Sequence, residues 1–340
     1  MSFPKLLALL SIALFGIIGI AALFKGSPST QNKTQAIHSV PVEVELDKEI
    51  RMVAASSTPP PAPISTGHTL PAPIASISHN DPVPDADRIE ELFNKGDPKS
   101  PIVQTIVYKS RVPWQKGRPA WISDYASHYS TSRHFIARSL NGKADYFKQD
   151  VAEGDRFNVL HPEKNINFYL VIDTSRSKMW FYYIDLDANE RVLLKTYSVG
   201  LGRYDSTKPS GMLTPLGRYS LGDKVAIYKP KTSGFYNGQK IEMVRVFGTR
   251  WIPFAQEING CTAPAEGLGI HGVPWLSGKG DELVENIESL GKYESDGCIR
   301  LATNDVEELF AIIITRPTTV ELVKDFYEAK LPGVENTAAH

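Results

Sequence analysis

Residues 167–200 read NFYLVIDTSRSKMWFYYIDLDANERVLLKTYSVG, three runs rich in β-branched and aromatic residues with polar turns at 173–178 and 185–190 between them. Their apolar side chains recur with a period of two, which predicts an antiparallel meander. Working outward, RYSL at 218–221, IEMVRVFG at 241–248 and TTVELV at 318–323 are further strand candidates. Two helices are expected among them. The first takes Asp281 as its cap, with Leu283, Ile287 and Leu290 at i, i+4 and i+7 and Gly291 after it. The second has Asn304 with Glu307 three residues on, then Val306, Leu309, Phe310 and Ile313 along one face. The series predicts a mainly β domain over 163–330, a sandwich or barrel with a few helices, followed by a flexible tail over 331–340.

The chain before this domain divides twice. Residues 6–24, LLALLSIALFGIIGIAALF, carry no charge over 19 positions, about 28 Å of helix and enough to cross a bilayer core. A transmembrane helix over 1–25 is therefore expected, a cleaved signal peptide being the alternative. The apolar stretch is long for a signal peptide and no clear cleavage site follows it. Residues 26–87 lose hydrophobic periodicity, and eight prolines fall between Pro59 and Pro84, with PAPIS at 61–65 echoed by PAPIAS at 71–76. Proline fixes φ and removes a backbone donor, so this segment reads as an extended linker that spaces a domain from the membrane.

Over 88–162 the pattern becomes that of a small α+β module. Ile122, Tyr125, Ala126 and Tyr129 fall at helical spacing and Thr131-Ser132 suits a cap. Phe135, Ile136 and Leu140 mark a second helix with Asn141-Gly142 at its end, and VAEGDRFNVL at 151–160 turns into a strand. No convincing first strand precedes the helices. The order helix, helix, strand, with Asn141 and Gly154, resembles a LysM module, which implies binding to the glycan strands of peptidoglycan.

Composition excludes more than it assigns. A formal net charge of −1 on 340 residues offers no footprint for nucleic acid. Two cysteines, Cys261 and Cys298, are too few for a disulfide scaffold, a four-cysteine zinc site or an iron–sulfur cluster. GLGIHG at 267–272 matches a dinucleotide-binding pattern by letter, but Val273-Pro274 follow where a helix would have to begin. His128, His134 and His161 have no ligand spacing.

A thiol attacks only as thiolate, and with a free pKa of about 8.5 it needs an imidazole, a helix N-terminus or a cation beside it. Two segments supply such groups. One is GLGIHGVPW with His271; the other is SDGCIRL, residues 295–301, with Cys298 after Gly297 and shortly before the basic Arg300. Gly297 lets the backbone turn so that N–H groups face an oxyanion. Arg300, two residues beyond Cys298, would share its strand face and suits a carboxylate.

These segments resemble the L,D-transpeptidase catalytic domain of the YkuD family. Its motif is His-Gly, a variable stretch, then Ser/Thr-His-Gly-Cys-hydrophobic-Arg/Asn, matched by His271-Gly272 and Ser295-x-Gly297-Cys298-Ile299-Arg300. TPLGRY at 214–219 and SVGLG at 198–202 are similar to two further family segments. The resemblance implies a two-step acyl transfer on peptidoglycan stem peptides, without metal or cofactor. Cys298 would attack, His271 would take its proton, and the Gly272 carbonyl would orient the imidazole. N–H groups at Gly297 and Cys298 would hold the oxyanion, and Arg300, with Ser295 and Asp296 beside it, would line the substrate site. It also implies a single-pass inner-membrane protein with its catalytic domain in the periplasm. Alternatives are an L,D-carboxypeptidase and a non-catalytic peptidoglycan-binding protein with a degenerate domain. The chain departs from the motif at Asp296, where the family usually has His. Asp296 is expected to fix a loop, the alternative being a hydrogen bond from His271. The 23 residues between His271 and Ser295 exceed the usual stretch and are expected to hold the helix at 281–290. Cys261 has no motif around it and reads as a free thiol or as a disulfide partner that would inactivate Cys298.

Overall fold

The computed structural model describes residues 82–95, 100–223, 225–280 and 282–336. The expected membrane span at 6–24, nearly all of the linker, Asp281 and the last four residues lie outside them. Among the described residues, no helix is long and apolar enough to cross a membrane.

A short helix α1 (Glu90–Phe93) precedes the small module, in which two strands enclose two helices: β1 (Val103–Val107), α2 (Ile122–His128), α3 (Arg133–Asn141) and β2 (Arg156–Leu160). The capping reading holds at α3, where the Ser132 hydroxyl accepts from His134 N and Phe135 N and Gly142 closes the helix at φ 74°. The strand missing from the sequence pattern is VQTIV. It pairs antiparallel with β2 from Val103↔Leu160 to Val107↔Arg156. VQTIV was hard to see because it buries little beyond Val103 on its own. Tyr108, Ile122, Tyr125, Ile136, Phe157 and Val159 form the module's own core. Val103, Phe135 and Leu160 instead join the main core of the chain. Apolar packing is therefore continuous across the position 162/163.

The remaining strands are β3 (Ile166–Asp173), β4 (Lys178–Asp185), β5 (Glu190–Ser198), β6 (Leu201–Gly202), β7 (Gly217–Leu221), β8 (Ala226–Ile227), β9 (Ser233–Tyr236), β10 (Gln239–Glu242), β11 (Arg250–Asn259), β12 (Gly269–Gly272), β13 (Trp275–Ser277), β14 (Leu283–Glu285), β15 (Tyr293–Ser295), β16 (Ile299–Leu301), β17 (Thr318–Val323) and β18 (Val334–Glu335). Helix α4 (Val244–Phe247) precedes β11, and α5 (Thr303–Ile313) lies between β16 and β17. The main sheet runs β16-β12-β11-β7-β17-β3-β4-β5-β18, with β8 added beside β11. It is mixed, curls into a half-barrel and makes the chain mainly β.

The meander at β3–β5 forms as its periodicity predicts, and both of its faces are covered. Phe168, Leu170, Ile172, Met179 and Phe181 point to the core that α5 closes with Leu309, Phe310 and Ile313. Tyr169, Val171, Trp180, Tyr182 and Ile184 point the other way, under Phe326, Val83 and Leu331. Burial on both faces explains why these strands are so uniformly apolar. Each fully buried large side chain there contributes about 1.5–3 kcal/mol.

Three expectations fail. Residues 282–290 form no helix: β14 pairs antiparallel with β13, and a 3₁₀ turn covers Ile287–Ser289. Ile287, one of the three residues of the helical stripe, is 57% exposed. Burial at 283–285 alternates with period two, and the Glu285 carboxylate accepts the N–H of Thr303 at the start of α5. This capping role fixes 283–285 as a strand, and it replaces the Asn304–Glu307 cap expected for α5, which begins after Ala302. IEMVRVFG also splits, its first residues ending β10 and its last forming α4. The long strand lies downstream, at β11.

Candidate active site

The site lies at one edge of the main sheet and depends on a parallel pairing. β12 and β16 pair as Ile270↔Ile299, His271↔Arg300 and Gly272↔Leu301. Register partners in a parallel ladder present their side chains to the same face, and residues two apart share a face. His271, Arg300 and Cys298, just before β16, therefore address one side of the sheet, while Ile270, Ile299 and Leu301 enter the core.

The turn that delivers Cys298 is built from distant segments. The Ser295 hydroxyl donates to Cys298 O at 2.7 Å and accepts from Gly297 N at 3.1 Å. Thr214, first residue of the TPLGRY segment, accepts from Gly202 N at 2.7 Å and donates to Gly297 O at 3.0 Å. Three of the sequence segments singled out above thus meet at a single threonine hydroxyl. Gly297 has φ 120°, and a Cβ there would stand 2.9 Å from Leu213 O. A Cβ on Gly202 would stand 2.6 Å from Thr214 N. Both positions need glycine, the first for its backbone angle and the second for closeness.

His271 is 4% exposed. Its Nδ1 lies 2.7 Å from Gly272 O, and because a carbonyl only accepts, Nδ1 carries the proton and Nε2 keeps a lone pair. The Phe247 and Trp251 rings sit 5.4 Å and 6.0 Å from the imidazole. Burial brings the His271 pKa down to about 4, with the Arg300 charge adding to the effect and the Gly272 carbonyl opposing it. Cys298 is half-buried, with Sγ 3.6 Å from Gly267 O. Burial pushes its thiol up to about 12, against a hydrogen bond from the Gly269 backbone and the charge of Arg300. The two shifts leave thiol and imidazole both uncharged near neutral pH.

Arg300 is partly buried, and its Nε has no hydrogen-bond partner. Desolvation lowers its pKa. A guanidinium in this state is ready for an incoming carboxylate. Asp296 does not face the imidazole: its Oδ1 accepts from Arg203 Nη2 at 2.6 Å in an exposed pair. Ser295 is 2% exposed, and its hydroxyl is occupied with the turn. The Gly297 N–H, expected at an oxyanion, is held by Ser295, which leaves Cys298 N–H as the backbone donor of the turn.

Sequence reading singled out the segment of Thr214 without the role of its hydroxyl, and missed Arg203 and Tyr236. Tyr236 ends β9, whose hairpin with β10 turns at Asn237-Gly238, both at positive φ. Its phenol is half-buried, and its pKa is raised by burial and by the nearby Asp296 and Cys298. The Asn237-Gly238 pair marks that hairpin in sequence, but nothing local says where it will lie. Among the described residues, no three His, Cys, Asp or Glu side chains gather as a metal-ligand set.

The family model described as YkuD, L,D-transpeptidase catalytic domain, matches residues 167–322. No curated protein matches the chain. Among solved structures, the helical cell shape determining protein Pgp2 from Campylobacter jejuni is similar at 18% identity and a TM-score of 0.31, over 49% of this chain and 50% of that one. Bd1075 from Bdellovibrio bacteriovorus is similar at 13% identity and a TM-score of 0.31, over 50% of each chain. The chain spans about half the length of the solved structures it matches.

Proposed function

With residues 167–322 belonging to the YkuD family of L,D-transpeptidase catalytic domains, we propose that this chain is a peptidoglycan L,D-transpeptidase that works through a thioester on Cys298. The observation that carries the reading is the parallel β12–β16 register, which gives His271, Arg300 and Cys298 a common face. Arg300 holds a carboxylate of the donor stem peptide. As Cys298 Sγ attacks the carbonyl of the third stem residue, its proton passes to His271 Nε2, and Cys298 N–H faces the oxyanion. The C–N bond breaks, the terminal D-residue leaves with the proton from His271, and the thioester remains. An amine from a second stem then attacks the thioester and releases the sulfur. Water in its place gives the carboxypeptidase outcome.

In this reading residues 6–24 anchor the chain in the inner membrane with the catalytic domain in the periplasm, and the linker sets its reach. The module at 88–162 is a LysM-like glycan-binding unit, supported by its strand–helix–helix–strand order and its antiparallel β1–β2 pair. Incubation of the purified chain with stem tetrapeptide tests the activity. The reading expects release of the terminal D-residue with cross-linked or trimmed product, and a chain that leaves the peptide intact contradicts it.

A further inference from the structure

A second set of charges stands at the mouth of the site, outside the Cys298, His271 and Arg300 group. Arg203 and Asp296 share a single hydrogen bond, and their side chains are 60% and 67% exposed. An exposed pair of this kind contributes little to stability. The backbone beneath it is nevertheless tightly held. Arg203 N donates to Ser295 O at 3.0 Å, Arg203 O accepts from Leu213 N at 2.8 Å, and the Tyr204 and Tyr293 rings lie 4.6 Å apart. Opposite charges are thus held together, Asp296 two residues before Cys298 and Arg203 paired with it through one oxygen, which leaves each with unused hydrogen-bonding capacity. Asp296 lies in the turn that carries the sulfur, and its charge acts on Cys298, Arg300 and Tyr236.

A two-step transfer needs two binding places beside one sulfur. Arg300, set deeper and lacking a partner at Nε, suits the donor, which must be held while the thioester forms. The second reactant arrives from solvent afterwards and meets the exposed pair first. We propose that Arg203 and Asp296 are the acceptor subsite, built for an amine that carries a carboxylate on the same carbon: an amino-acid headgroup, with its ammonium on Asp296 and its carboxylate on Arg203. The assignment rests on the transpeptidase reading. For reaction, the ammonium first gives one proton to solvent. The neutral amine then attacks the thioester carbon, a C–N bond forms and the C–S bond breaks. One amine proton stays on the new amide, and the other passes through His271 to the departing Cys298 sulfur.

The test loads the full chain with stem tetrapeptide and offers D-methionine or D-methioninamide as acceptor. Both have the amine, and only the first has the carboxylate. The readout is the ratio of kcat/KM for the free acid over the amide, which cancels any general loss of activity. Wild type should favour the free acid, Arg203→Gln should lower the ratio at least tenfold, and Arg203→Glu should invert the preference. Asp296→Asn should weaken both acceptors while leaving the ratio above that of Arg203→Gln. Ratios within twofold of wild type in both Arg203 variants overturn the subsite, as does an acyl-enzyme that only hydrolyses. Absence of any acyl-enzyme in wild type overturns the transpeptidase reading and the subsite together.

Discussion

The two cysteines sit in similar burial and dissimilar chemistry. Cys261 follows the far end of β11, where its thiol donates to Arg218 O at 3.0 Å and its backbone is crossed by Gly217 at a spacing that leaves no room for a Cβ. Among the described residues, no imidazole or guanidinium is directed at it. Cys298 stands at a sheet edge with His271 and Arg300 on its face, its sulfur taking a hydrogen bond from the Gly269 backbone and lying 3.6 Å from Gly267 O. Both are free thiols. Local backbone satisfies the first, whereas three distant segments hold the turn of the second, which shares its sheet face with an imidazole and a guanidinium. Burial alone therefore does not decide the role of a thiol; the neighbours do.

The sharpest way to break this contrast is Cys298→Ala, which should reduce turnover of stem tetrapeptide by at least about 10⁴-fold. His271→Gln comes next, with a loss of about 10²–10⁴-fold in kcat and a signature in stability. His271 stays neutral in the folded chain down to about 4, while in the unfolded chain it takes its proton near 6.5. Its contribution is whole above pH 6.5 and is lost as the pH falls through 4, on the order of 3 kcal/mol in all. Denaturant melts between pH 7 and 4 should show a steeper acid loss for wild type than for His271→Gln. His134, also depressed by burial, contributes to both alike. Arg300→Lys keeps the charge but loses the planar fork, and kcat/KM for a donor bearing its carboxylate should fall about 10–100-fold. Ser295→Ala leaves Gly297 N and Cys298 O without their partner in a buried turn, and should cost about 1–3 kcal/mol of stability with a lower kcat. The smallest effect belongs to Cys261→Ala, within about 1 kcal/mol of stability and with wild-type turnover, measured by the same melts and assays.

What could be read from sequence follows the range of the interactions. The β3–β5 meander was legible because period-two apolar runs specify both the strand and its two buried faces. The α3 caps were legible because Ser132 and Gly142 act within their own helix. β11 was not, since Pro253 interrupts it and its last five residues are exposed, so that neither propensity nor alternation marks the strand that carries Trp251 beside His271. The helix expected at 281–290 failed because three apolar positions in a short window fit a helical spacing by accident, while the determining contact, Glu285 to Thr303, spans 18 residues. In the site, Cys298, His271, Gly272 and Arg300 were singled out through an ordered motif, and the Gly272 carbonyl lies 2.7 Å from His271 Nδ1. Thr214 to Gly297 and Arg203 to Asp296, separated by 83 and 93 residues, leave no local trace.

The central claim is that one thiol of the two is the nucleophile. It is tested most directly by incubating the chain with stem tetrapeptide, quenching in acid and digesting with protease, then locating the acyl adduct by mass spectrometry. The account predicts a thioester mass on the peptide containing Cys298, none on the peptide containing Cys261, and none anywhere in Cys298→Ala. An adduct on Cys261, or peptide turnover that persists in Cys298→Ala, would contradict it.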